Sequence, residues 1–329
     1  MNKKKKSMAV LLVIIAAAAI IWFVVANCGG SKDDGEIVES VEVLVTAVYI
    51  AGYYYDSEGY TVACYWENNE KTDLVGENTA AYAITVSEGT VYVAGRYYDS
   101  AKRKGIPCYW KDGEKIDLVG DNDTAIAITV SEGTVHIAGF YIDRRWNEAA
   151  CYWIGDKKIN LPVPSGSESR ANAITVLGNT VYIAGWYKEA GGNQKICQWI
   201  INGDAIERTE LLTEDANVNA IAVIEETVYT AGYYYEGNTE KRIACYWTSD
   251  EKIDLPVPAD AQSSEAYAIA VSEALNNDIY TAGYYYNNKW IHIACYWENN
   301  EKTELTVPEK TEYSAAHGIF LQYSNASEN

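Results

Sequence analysis

The sequence predicts an all-β protein, a six-bladed β-propeller built from four-stranded antiparallel blades, and three observations carry that prediction. A V-Y-x-A-G string begins at Val48, Val91, Val135 (with His136 in the tyrosine place), Val181, Val228 and, with isoleucine first, Ile279; successive copies lie 43 to 51 residues apart. Each copy is followed by a C-Y-W box, at Cys64, Cys108, Cys151, Cys197 (as C-Q-W), Cys245 and Cys295. A small-x-small-I-x-V run such as Ala81-Tyr82-Ala83-Ile84-Thr85-Val86 completes the period. Four short strands per period, with no amphipathic helix, suit radial blades better than a linear β-solenoid.

Taken in order, Ala81–Val86 and Val91–Gly95 are rich in β-branched and aromatic residues and are joined by Ser87-Glu88-Gly89-Thr90, which predicts the first hairpin of a blade. The C-Y-W run makes the third strand. Pairs such as Asp112-Gly113 or Asn202-Gly203, which tolerate the positive φ angles of tight hairpins, lead to a short fourth strand ending in Asp-Leu or its equivalent. The two inner strands are apolar on both faces, as expected where neighbouring blades cover both sides. A seventh copy of the inner run, Ala316–Leu321, is expected to supply the innermost strand of blade one and so to close the ring, because Val38–Val43 matches the pattern poorly.

Ahead of the repeats, a basic run at Lys3–Lys6 precedes the apolar stretch Ala9–Ala26, the pattern of an export signal. That stretch also has the length of an uncleaved membrane anchor. Val25-Ala26-Asn27-Cys28 resembles a bacterial lipobox, with Asn27 fitting the looser spirochaete-like form, and the resemblance implies lipidation of Cys28. The expected organisation is therefore a signal peptide or anchor over 1–27, a polar tether over 28–36, the propeller over 37–324 and a tail over 325–329. The expected location is extracytoplasmic and membrane-anchored, periplasmic or at the cell surface. With 26 basic against 46 acidic residues the chain carries a net charge of −20, which argues against nucleic acid as a partner.

The order of small-x-A-I, V-Y-x-A-G, tryptophan box and Asp-Leu resembles kelch-type propellers, with Ala51-Gly52 in place of the double glycine. It also resembles HAF-type extracellular repeats of bacteria, whose elements match Ala63–Trp66, Asp73-Leu74 and Ala81–Ile84. The resemblance implies an exported propeller and assigns no catalytic residue.

GYYYD at Gly52 returns as GYYYE at Gly232 and GYYYN at Gly283, and the residue two after the glycine is tyrosine in all six periods: Tyr54, Tyr97, Tyr141, Tyr187, Tyr234 and Tyr285. A residue needed by every blade reads as scaffold. The same argument makes the six boxed cysteines buried thiols, since equivalent points on neighbouring blades are spaced too widely to pair. The inner runs show no carboxylate, and His317 is their sole ionisable residue. No nucleophile–base set, metal cluster or phosphate loop emerges, so neither enzyme activity, cofactor nor metal is expected; a hydrolase or lyase would need carboxylates such as Glu77, Asp121 and Glu214 to converge on the channel mouth. Variation is concentrated in the b-to-c and d-to-a loops, which share one face. Lys102, Arg103, Lys104, Arg144 and Arg145 form a basic patch there, and Trp146 and Trp290 break the repeat pattern. These residues are the expected contact set for an envelope or host protein, with glycan binding as the alternative.

Overall fold

A computed structural model describes residues 49–304, except 57, 68–69, 213–215, 226, 238, 249–250 and 273–277. The leader, Cys28, the tether, the expected closing strand at 316–321 and His317 lie outside the described residues. Blade one contains β1 (Tyr49–Tyr55), β2 (Thr61–Glu67) and β3 (Glu70–Asp73). Blade two is β4 (Ala80–Ser87), β5 (Thr90–Asp99), β6 (Lys104–Lys111) and β7 (Glu114–Asp117). Blade three is β8 (Thr124–Ser131), β9 (Thr134–Ile142), β10 (Glu148–Ile154) and β11 (Lys157–Asn160). Blade four is β12 (Glu168–Leu177), β13 (Thr180–Lys188), β14 (Gln194–Asn202) and β15 (Ala205–Leu212). Blade five is β16 (Ala216–Ile224), β17 (Thr227–Tyr235), β18 (Arg242–Trp247) and β19 (Lys252–Asp254). Blade six is β20 (Ser263–Ser272), β21 (Asp278–Tyr286), β22 (His292–Glu298) and β23 (Glu301–Glu304).

Every sheet is an antiparallel meander in chain order, and the innermost strands β4, β8, β12, β16 and β20 touch in succession around the axis. The six sheets are the six blades of a propeller. Within a blade the hairpins close as the sequence dictates. Glu88 and Gly89 both adopt positive φ (49° and 77°), the mirror-image turn whose twist matches the flanking strands.

The core lies between the blades. The strand-c tryptophan and cysteine of blades two to six face the preceding blade: Cys108 and Trp110 pack against Ala63 and Leu74, and Cys197 and Trp199 against Ala150, Tyr152 and Leu161. Four of the indoles also tie the seam with a hydrogen bond, while Trp247 Nε1 is buried without a partner among the described residues. Trp110, Trp153, Trp199 and Trp297 donate Nε1–H to the carbonyls of Val75, Val119, Pro162 and Pro256, at 3.0, 2.8, 2.9 and 2.7 Å, in every case the residue after the Asp-Leu or equivalent leucine of the blade before. This joins two motifs of the repeat into one device. At about 200 Å² of buried surface, each indole contributes roughly 5 kcal/mol of transfer free energy before ordering costs. Further stitches run from c-strand N–H groups to the start of the next inner strand or the residue before it: Ala63 to Thr79 Oγ1 (2.7 Å), Ala150 to Ser169 Oγ (2.9 Å) and Ala244 to Ser264 Oγ (2.8 Å). Where strand c carries Pro107, which has no N–H, the inner residue is Asp123, which accepts from Lys158 at 2.7 Å instead.

The repeated tyrosine has a similar structural explanation. Tyr97, Tyr187, Tyr234 and Tyr285 donate their hydroxyls to Asp117, Glu210, Asp254 and Glu304 on strand d of the same blade. The basic residue two positions before each acid lies over the ring: Lys115 Nζ is 3.2 Å from the Tyr97 centroid, Lys252 Nζ 3.5 Å from Tyr234 and Arg208 Cζ 4.3 Å from Tyr187. Strand d thus carries a basic-x-acidic clamp that fastens it across the blade to strand b, and the tyrosine common to GYYYE and GYYYN is scaffold. The cysteines are free and buried, and burial pushes the Cys64 thiol up to about 12.

Candidate functional site: the channel mouth and its loops

The inner strands depart from the regular ladder at one place each. A β-bulge falls between Ala81 and Ala83, Ala125 and Ala127, Ala171 and Ala173, Val218 and Ala220, and Ala266 and Ala268. The extra residues are Tyr82, Ile126, Asn172, Asn219 and Tyr267, the x of small-x-small-I. A bulge turns its extra residue out of the ladder, and here it presents a variable side chain from each innermost strand. The glycine of V-Y-x-A-G makes the bulge possible. A Cβ at Gly95, Gly139, Gly185 or Gly283 would sit 2.0 Å from the carbonyl oxygen of Ala80, Thr124, Arg170 or Glu265, and one at Gly232 1.9 Å from that of Asn217. The bulged strand also exposes carbonyls that need new donors. Asn172 Nδ2 donates to Val218 O (2.8 Å) and Asn219 Nδ2 to Ala266 O (2.9 Å), so the amide of one blade satisfies the bulge of the next.

Beside this rim, the residue two before each bulge faces the variable position after the strand-b glycine: Ala80 opposite Arg96, Thr124 opposite Phe140, Arg170 opposite Trp186, Asn217 opposite Tyr233 and Glu265 opposite Tyr284. Glu265 corrects the expectation that inner strands lack a carboxylate, because β20 begins at Ser263, three residues ahead of the small-residue run. Its carboxylate is 3% exposed and satisfied by the Tyr284 hydroxyl (2.6 Å), the Tyr267 hydroxyl (2.8 Å) and an ion pair with Arg242. Burial first, and the bond to Glu265 second, raise the pKa of Tyr284 far above the usual phenol value, so it stays a donor. Ring contacts continue from there: Tyr284 stacks on His292 at 4.6 Å, and His292 meets Tyr286 at 3.9 Å and Tyr286 meets Trp290 at 5.7 Å edge to face. This ladder links the channel mouth of blade six to its loop tip.

The b-to-c loops of blades one, three and six share one turn. The side-chain oxygen of Asp56, Asp143 or Asn287 accepts two backbone N–H bonds, from Glu58 and Tyr60, Arg145 and Asn147, or Lys289 and Ile291, at 2.7–3.0 Å. The fourth residue of the turn is left-handed in each: Gly59 (φ 90°), Trp146 (φ 68°) and Trp290 (φ 61°). Trp146 is 86% exposed and Trp290 65%.

Of the basic patch, Lys102 is paired with Asp99 (3.2 Å) and Lys104 with Asp121, while Arg103, Arg144 and Arg145 are exposed at the tips of adjacent blades. Of the carboxylates named for a hydrolase, Glu77 accepts from Ser100 (2.8 Å), Asp121 pairs with Lys104, and Glu214 lies outside the described residues. Between blades one and two the face opens into a pocket of about 330 Å³ around Arg96. Sequence reasoning missed this pocket and Glu265; the departures from the repeat at Arg96 and Ala80 were the available signal.

No protein-family model matches the chain, and no curated protein matches it. Among solved structures the chain is similar to YjhT, at 10% identity and a TM-score of 0.45 over 79% of this chain and 94% of that one. It is similar to AofleA from Arthrobotrys oligospora, at 10% identity and a TM-score of 0.46 over 82% and 89%. It is also similar to the β-propeller domain of the Trilobed protease from Pyrococcus furiosus, at 12% identity and a TM-score of 0.39 over 80% and 95%.

Proposed function

We propose that this chain is an exported, kelch-like propeller, anchored to the membrane through a lipidated Cys28, that binds an envelope or host protein without catalysis through its b-to-c and d-to-a loop face. The observation that carries the reading is the pair Trp146 and Trp290. A non-glycine residue in the left-handed region costs about 1–2 kcal/mol, and blade one shows that glycine serves the same turn. Trp146, 86% exposed, recovers little of that cost by packing, and Trp290 makes an edge contact with Tyr286 while staying 65% exposed. Strain retained at an exposed position is the mark of a contact residue, and tryptophan and arginine, here Arg144 and Arg145 beside Trp146, are favoured anchors of protein interfaces.

The test is capture from the native envelope with the detergent-solubilised full chain, wild type against Trp146→Gly/Trp290→Gly. A protein held by the first and lost by the second is the expected result; an unchanged set of captured proteins overturns the choice of face. Glycan binding is the second reading, favoured by the same exposed indoles beside the tyrosine and amide side chains of the rim. It requires quenching of tryptophan emission on glycan titration, abolished in the double variant.

A further inference from the structure

Three arginines stand close to the channel mouth on the loop face, and two of them are neutralised by the protein itself. Arg170 forms a forked pair with Glu148, its Nε 2.7 Å from Oε2, and lies 4.3 Å over the Phe140 ring. Arg242 pairs with the buried Glu265. Arg96 has no carboxylate partner and no hydrogen bond among the described residues, in a chain of net charge −20. It occupies the variable strand-b position that holds an aromatic ring in every other period: Tyr53, Phe140, Trp186, Tyr233 and Tyr284.

The space in front of it follows from its neighbours. Its cross-strand partners are Ala80, where other blades carry Thr124, Arg170, Asn217 or Glu265, and Pro107. Gly105 lies alongside, its absent Cβ 3.8 Å from Arg96 Cζ. The small Ala80 side chain leaves open the pocket of about 330 Å³, whose other walls are Tyr53, Tyr82, Tyr98, Thr61 and Asn78. Asn78 Oδ1 already accepts from the Thr61 N–H at 3.3 Å, which leaves the Asn78 amide hydrogens as donors.

We propose that this pocket binds a small carboxylic acid carried on a ring, the ligand supplying to Arg96 the carboxylate that Glu148 and Glu265 supply to Arg170 and Arg242. The guanidinium fork suits a carboxylate in two parallel bonds, and the tyrosine rings suit a flat or ring-shaped stem. The site stands independently of protein binding at the loop tips.

The test is titration calorimetry of the full chain with two acids that distinguish the stem, phenylacetate and glucuronate, against their neutral counterparts phenylacetamide and glucose. At least one acid is expected to bind at about millimolar concentration or tighter, and its neutral counterpart at least about tenfold more weakly, the size of one charge-assisted hydrogen bond. Arg96→Gln should lose that preference, and Arg96→Lys, which keeps the charge but not the fork, should retain part of it. Ala80→Glu places a carboxylate opposite Arg96 as in blade six and should block both acids while leaving the unfolding temperature no lower. Equal binding of acid and neutral compound, undiminished binding in Arg96→Gln or Ala80→Glu, or no binding of either acid at millimolar concentration each overturns the proposal.

Discussion

Two sets of tryptophans in this molecule do opposite things. Trp110, Trp153, Trp199, Trp247 and Trp297 are almost wholly enclosed between blades. Trp146 and Trp290 stand at loop tips in a backbone conformation that glycine would take more easily. The first set is periodic and explained by the fold: the indole is buried, and in all but Trp247 its N–H is satisfied by the neighbouring blade. The second is aperiodic and opposed by local conformational preference. Recurrence in register with the repeat marks frame, and departure from it at an exposed, strained position is what the proposed contact role rests on.

The frame should break hardest where the backbone leaves no room. Gly185→Ala drives a methyl group into the Arg170 carbonyl 2.0 Å away, and a loss of about 4 kcal/mol or outright failure to fold is expected, read by urea unfolding. Next comes Trp199→Ala, which empties a blade seam and leaves the Pro162 carbonyl without its donor; a loss of about 4 kcal/mol is expected. Trp146→Gly sharpens the contrast from the other side, since relief of a positive φ should leave stability unchanged or raise it by about 1 kcal/mol. Equal damage from Trp199→Ala and Trp146→Gly would dissolve the distinction between the two sets.

The smallest effect concerns a break in the frame itself. His136 stands where other blades carry tyrosine, buried and 2.6 Å from the Tyr152 hydroxyl. Burial lowers its pKa from 6.5, so as pH falls the unfolded chain takes up the proton first. The stability that neutral His136 preserves is present above 6.5 and is lost as pH falls through the window below it. Wild type should therefore lose more stability than His136→Tyr between neutral and mildly acidic pH, measured by denaturant unfolding at each.

Much of the frame was legible because it repeats. Strand number, hairpin positions, the scaffold tyrosines and the buried thiols all follow from what six periods share. The bulges were not legible. A one-residue register shift in a run of small residues apolar on both faces leaves no trace in alternation. The same blindness hid Glu265: polar residues preceding Ala266 read as loop, yet they are strand, paired through Tyr285 and Tyr286. Strand c and strand d supplied another lesson, because the reason for each Trp–Leu coincidence lies in the adjacent blade, some 34 to 41 residues away. The exposed tryptophans were visible as exceptions, but their backbone conformation was not.

The bulge gives the molecule a form of modularity. Because its extra side chain belongs to no cross-strand pair, it can be exchanged without shifting the register of the blade behind it. Tyr82, Ile126, Asn172, Asn219 and Tyr267 already sample hydroxyl, aliphatic and amide chemistry on strands bulged at the same place. The channel mouth is thus a socket whose fittings can change without a register shift, although Asn172 and Asn219 also supply donors to the next blade and Tyr267 one to Glu265.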